Sequence, residues 1–133
     1  MEFRASFCNP FQKEIIEFGK IEKDKVIEKF NSIDWKKYLE QMNSAEDREI
    51  YYSPSLEIEN ILNKNGLSVS AIDGKEWYIF YKRPKRVKRF FGLSEKLDED
   101  YQTDLTGQNE DDVLDCLNAL LRNDLEFLEN KIK

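Results

Sequence analysis

The chain has 133 residues, 40% hydrophobic and 36% charged, with a formal net charge of −6. That length suits a single domain able to bury its own core, and the acidic balance works against non-specific binding to nucleic acid. Histidine is absent, which removes the usual general base, the usual partner of a Ser or Cys nucleophile and the commonest metal ligand.

No apolar run is long enough for a transmembrane helix. Met1-Glu2-Phe3-Arg4 lacks the apolar centre of a signal peptide. The expectation is a soluble cytoplasmic protein, with Cys8 and Cys116 as reduced thiols rather than a disulfide.

In chain order, Lys13 to Phe18 is apolar enough for a strand. Val26, Ile27, Phe30 and Ile33 then recur at helical spacing. Asp34 is placed to cap a second helix, whose stripe is Trp35, Tyr38, Leu39 and Met42. Asn43 to Arg48 is polar and reads as a loop. Leu56 and Ile58 alternate with Glu57 and Glu59, which favours a strand over 54–63, although Pro54 and Gly66 stand where a helix would start and stop.

Leu67, Val69 and Ala71 lead into Asp73-Gly74, a pair suited to a type I′ turn, and Lys75 to Arg83 returns as a β-rich strand. Its Trp77, Ile79 and Tyr81 point one way, Tyr78 and Phe80 the other. Apolar character on both faces predicts a central strand covered on both sides. Pro84 is expected to end it, and Ser94 to Gln108 reads as a long acidic connection. Asn109 looks like an N-cap, and a leucine-rich pattern runs from Val113 to Ile132 as one long helix or two with a break at Asn123-Asp124. The predicted fold class is α+β: an antiparallel sheet of about four strands, a meander with its hairpin at 67–83, packed with N-terminal helices and a long C-terminal helix. No linker divides the chain, so residues 1–133 are read as one domain.

Two charge blocks adjoin, and the plainest joint reading is that they pair with each other across the fold, so that either becomes a site only if the two are spatially separate. Lys82, Arg83, Lys85, Arg86, Lys88 and Arg89 place six cations in eight residues, flanked by aromatics including Phe90 and Phe91. Cations bind phosphates and aromatic faces stack on bases, so this segment is a candidate site for nucleic acid or another anion. A solvated strand end beside ordinary core aromatics is the plainer account. Between Glu95 and Asp115 stand nine acids with Lys96 as the only base. Of these, Asp98, Glu99, Asp100, Asp104, Glu110, Asp111 and Asp112 are the candidate surface for a basic partner.

Asp98, Asp100, Gln102 and Asp104 have the spacing of a calcium loop, but Thr103 and Asn109 occupy the positions that need Gly and Glu. No Gly-rich phosphate loop exists. No metal, cofactor or catalytic residue is predicted. The leading expectation is a non-enzymatic protein-binding module of a bacterial type, for instance an acidic inhibitor or immunity-like protein for a basic partner. Anion binding through 77–91 is the alternative, and a small carboxylate-based enzyme is a second. Tyr78 and Phe80 become an interface candidate if their sheet face is uncovered.

Overall fold

The computed structural model describes residues 1–89 and 92–133. It is α+β, with a six-stranded antiparallel sheet rather than four strands. The strands are β1 (Phe3–Cys8), β2 (Ile16–Ile21), β3 (Ser55–Asn60), β4 (Gly66–Ala71), β5 (Trp77–Arg89) and β6 (Ser94–Gln108), in the spatial order β2-β1-β3-β4-β5-β6. Helices α1 (Val26–Ser32) and α2 (Trp35–Ser44) connect β2 to β3. Helices α3 (Glu110–Leu121) and α4 (Leu125–Lys131) follow β6.

Period-two alternation divides the sheet into two unlike faces. Phe3, Ala5, Leu56, Ile58, Leu67, Val69, Ile79 and Tyr81 are buried against Val26 and Phe30 of α1, Val113, Leu117 and Leu120 of α3, and Leu128 of α4. Trp35 and Trp77 meet edge to face at 4.9 Å, and Phe7 and Phe30 lie within 6 Å of Trp35. Leu117 is fully enclosed. Leu117→Ala is therefore expected to cost about 2–5 kcal/mol, the transfer loss plus the cavity left behind. Chemical denaturation checks this, and a loss under about 1 kcal/mol would mean that the helix layer is not packed on the sheet as described.

Several local expectations hold. Asp34 caps α2 by accepting from the Lys37 N–H at 3.2 Å. Asn109 and Asp112 cap α3 reciprocally, at 2.9 and 3.0 Å. Within the 54–63 segment Ser55–Asn60 forms β3, while 61–63 turn, and the predicted strand at 13–18 is β2, shifted to 16–21.

Four expectations are corrected. The loop after β4 is not a type I′ turn, because neither Asp73 nor Gly74 has positive φ. Instead the Asp73 carboxylate accepts from the N–H groups of Lys75 and Glu76 at 2.8 and 2.7 Å, a side chain standing in for a backbone turn. Pro84 does not end β5. It sits between Arg83 and Lys85, where the register shifts, and beyond Lys82 the β4 side of the strand has no partner, so the missing N–H breaks no ladder.

Residues 94–108 are not a loop but strand β6, held by eleven register pairs to β5. Finally, of the two readings of the C-terminal pattern, the single long helix is corrected and the two-helix alternative with its break at Asn123-Asp124 holds. Asn123 adopts φ +59° and Asp124 caps α4 through the Phe127 N–H at 3.1 Å. A short polar side chain tolerates that left-handed conformation, and the αL residue stops α3.

Candidate functional site

Strands β5 and β6 are each more than twice as long as the other four strands, and β4 covers β5 only as far as Lys82. Residues 83–89 and 94–101 therefore continue as a two-stranded arm beyond the sheet. The basic and acidic blocks are the two strands of this arm: Lys85 stands opposite Asp98, and Lys88 opposite Glu95. Opposite charges directly across a ladder attract modestly. Among the described residues, however, no side-chain ion pair within 4.0 Å joins the two strands.

The cations at the base of the arm turn to α4 instead. Arg83 is 4% exposed at its side chain, and its Nε and Nη2 donate to both oxygens of Glu129, at 2.8 and 3.0 Å. Its Nη1 donates to the Tyr81 carbonyl at 3.0 Å and to Thr103 Oγ1 at 2.6 Å. Its guanidinium stacks between the rings of Tyr81 and Tyr101. Thr103 Oγ1 in turn donates to the Ile132 carbonyl at 2.7 Å, and Lys85 Nζ reaches Glu129 at 3.3 Å. The fork matches the carboxylate two bonds to two, the geometry that makes such pairs strong. The Glu129 carboxyl is held below the usual carboxylate range, first by the hydrogen bonds from Arg83. This cluster ties the arm to the last helix.

That placement divides the basic candidates. Arg83 is buried and engaged and Lys85 shares Glu129, so neither is a free anion ligand. Arg86 and Lys88 are exposed on the arm, and Lys82 is half-buried on the sheet face turned away from the helices. The Arg89 side chain, and with it Phe90 and Phe91, lies outside the described residues.

The acidic candidates divide differently. Glu99, Asp100, Asp104, Glu110 and Asp111 face solvent, and Asp98 is half-buried, with its carboxylate accepting from the Asp100 N–H at 3.0 Å. Asp112 serves the α3 cap and pairs with Lys131 at 3.2 Å. Its carboxyl is lowered, first by the Asn109 backbone N–H. Together these acids run along β6, an edge of the sheet, into the first turn of α3. Among the described residues, no group of three or more His, Cys, Asp or Glu is placed to hold a metal ion. No helix among them is long and apolar enough to cross a membrane.

The aromatic candidates sit where the sequence alternation put them, but their surroundings differ. Tyr78 and Phe80 lie in register with Ser70 and Ser68 of β4, on the face away from the helices, and both are half-exposed. The expectation that β5 is covered on both sides is thus corrected: the face carrying Phe80 meets solvent. A cavity of about 230 Å³ opens there, with Glu57, Ser68, Phe80 and Lys82 among its lining residues. Its Ser6 donates to Glu57 at 3.2 Å.

Sequence reasoning singled out neither Glu57 and Glu59 as site residues nor Glu129. The alternation at 56–59 does assign both glutamates to the face opposite the core. What no local pattern carries is the order of the strands. No family model, no curated protein and no solved structure matches this chain.

Proposed function

We propose that the protein is a non-enzymatic protein-binding module that receives a basic partner on the acidic edge formed by β6 and the first turn of α3, in the manner of an inhibitor or immunity-like protein. One observation carries the reading. Glu95, Asp98, Glu99, Asp100, Asp104, Glu110 and Asp111 follow one edge of the molecule, and among the described residues none of them is in an ion pair within 4.0 Å. The excess of negative charge along this edge, only partly offset by Lys85 and Lys88 across the ladder, attracts a complementary surface and speeds the encounter. Charge on an edge strand also deters strand-to-strand aggregation, but the acidic run continues past the sheet into α3, where no edge needs guarding.

Binding of nucleic acid through the basic segment is the weaker reading. Glu129 occupies Arg83 and Lys85, and the strand facing the remaining cations is acidic, which repels phosphate. The deciding experiment is co-purification from the native host, followed by titration with the purified partner in 50 and 300 mM salt. A basic partner is expected, bound at least ~10-fold more weakly at the higher salt and by the variant Asp98→Lys, Asp100→Lys, Asp104→Lys. A partner whose affinity ignores both changes would overturn the reading. So would micromolar oligonucleotide binding that disappears with Arg86→Glu and Lys88→Glu.

A further inference from the structure

The sheet face opposite the helices carries a furrow along β4. Its floor is Gly66, with no side chain, and Ser68, with only a hydroxymethyl group. Register places Glu59 beside Gly66 and Glu57 beside Ser68 on the β3 side, and Lys82 and Phe80 beside the same two residues on the β5 side. Strands one apart are separated by ~4.8 Å, so the two walls stand roughly 10 Å apart, the width of one extended side chain lying between them. One wall carries the two carboxylates, with Arg4 of β1 opposite Glu59 and also lining the cavity. The other is an aromatic ring ending in a cation.

The cavity of about 230 Å³ over this floor is smaller than the roughly 300–1,000 Å³ usual for small-molecule sites, and it is open along its length. It is sized for one side chain. Glu57, Glu59 and Lys82 are half-buried, yet among the described residues none of them forms an ion pair within 4.0 Å. The cation and the two carboxylates face each other across the furrow without closing it. Partial burial strengthens an ion pair with whatever enters, because less water screens it. Phe80 offers its ring to an aliphatic stem or to a cation above its face.

We propose that the furrow over β4 anchors a lysine or arginine side chain of the partner protein, with the cation on Glu57 and Glu59 and the aliphatic stem against Phe80. Lys82, at the end of the β5 wall, is placed to meet the carbonyl oxygens of the segment that carries the anchor. The inference rests on the reading of the protein as a module for a basic partner, and it adds a second, chemically defined contact on a different face from the acidic edge.

The test uses the full chain and three small probes: arginine, lysine and glutamate, each acetylated at the amino end and amidated at the carboxyl end. Backbone amide shifts are followed by NMR during titration. The arginine and lysine probes are expected to move Glu57, Ser68 and Phe80 saturably and the glutamate probe to leave them still. In the double variant Glu57→Gln, Glu59→Gln, whose substituted side chains hold no ion pair, binding should weaken about tenfold, the loss of one charge-assisted hydrogen bond.

Absence of a saturable shift overturns the anchor, as do equal shifts with the glutamate probe or arginine binding that ignores the double variant. Saturable shifts with glutamate alone would assign the furrow to an acidic segment through Lys82 and equally reject the proposal. The charge-reversed β6 variant separates this inference from the parent reading. It should lose partner affinity while retaining arginine shifts at Ser68, and partner binding without such shifts would remove the anchor alone.

Discussion

Glu129→Ala is expected to destabilise the protein by about 2–3 kcal/mol, more than removal of a surface carboxylate ordinarily does. The reason is what remains. Arg83 is 4% exposed in the intact pair, and without Glu129 its guanidinium keeps only the Tyr81 carbonyl, Thr103 Oγ1 and two aromatic faces as protein partners. A buried cation without a counter-charge costs more than the pair gained, and breaking such a pair from one side costs roughly 3–5 kcal/mol when both partners are enclosed. Glu129 is 37% exposed, so water can follow into its place, and the lower figure applies.

The double variant Arg83→Leu, Glu129→Leu should recover much of the loss, since an apolar pair of similar volume carries no desolvation penalty. Urea unfolding of wild type, Arg83→Leu, Glu129→Leu and the double variant gives the coupling directly. A coupling under about 0.5 kcal/mol would show that the arm does not depend on α4. The pair also sets a pH limit. The Glu129 carboxyl is depressed in the folded state from an ordinary value of 4.5, so its contribution is present above about 4.5 and lost as pH falls through the folded pKa. Wild type should therefore lose stability below that point faster than Glu129→Gln.

This cluster also marks where the sequence stops being legible. Arg83 belongs to a run of six cations and looks like its neighbours. Its partner lies 46 residues away, on a helix that reads locally only as a leucine stripe. Strand β6 was hidden for a related reason. Tyr101, Thr103 and Leu105 do alternate, but Asp98, Glu99, Asp100 and Asp104 around them have low strand propensity and resemble a loop. Pairing with β5 overrides that propensity, because the ladder satisfies the backbone whatever the side chains prefer.

In strand β1 Phe3, Ala5 and Phe7 alternate cleanly, but six residues with little flanking turn signal do not identify a strand by themselves. Local chemistry, by contrast, was sufficient for what is local. The caps at Asp34 and Asn109, the β3 alternation and the two-sided pattern of Trp77 to Tyr81 each depend on neighbours within a few residues. The charge blocks were visible as blocks. That they are two strands of one arm follows from strand order, and that two of the cations are bound to α4 follows from how that helix packs on the sheet.

Alkaline pH is expected to unfold the protein through three groups that the core keeps protonated. Burial pushes the Cys8 and Cys116 thiols up to about 11 from 9.0, and the Tyr81 phenol up to about 12 from 10.0. Neighbouring carboxylates add to the effect: Glu57 and Glu17 for Cys8, and Glu129 for Tyr81. All three residues are enclosed, with relative exposures of 5%, 0% and 1%. In each the folded pKa lies above the unfolded one, so the stabilisation is complete below the unfolded value and is lost as pH rises through the folded value.

The window therefore opens near pH 9 for the thiols and near pH 10 for the phenol, and closes at about 11 to 12. A two-unit shift corresponds to roughly 2–3 kcal/mol per group. Only part of this is released by pH 10.5, most of it from the two thiols. Urea midpoints measured at pH 8, 9.5 and 10.5 should fall steadily. Cys8→Ser with Cys116→Ala should flatten the first part of the fall, even though Cys116→Ala lowers the starting stability by opening a small cavity. Tyr81→Phe, which forfeits the phenol's hydrogen bond to Asn65, should flatten the last part. A thiol reagent at pH 8 gives an independent reading, since the thiolate is the reactive form. Folded protein should react far more slowly than protein in urea, whereas a midpoint constant from pH 8 to 10.5, with prompt thiol labelling, would mean that the core does not hold these protons.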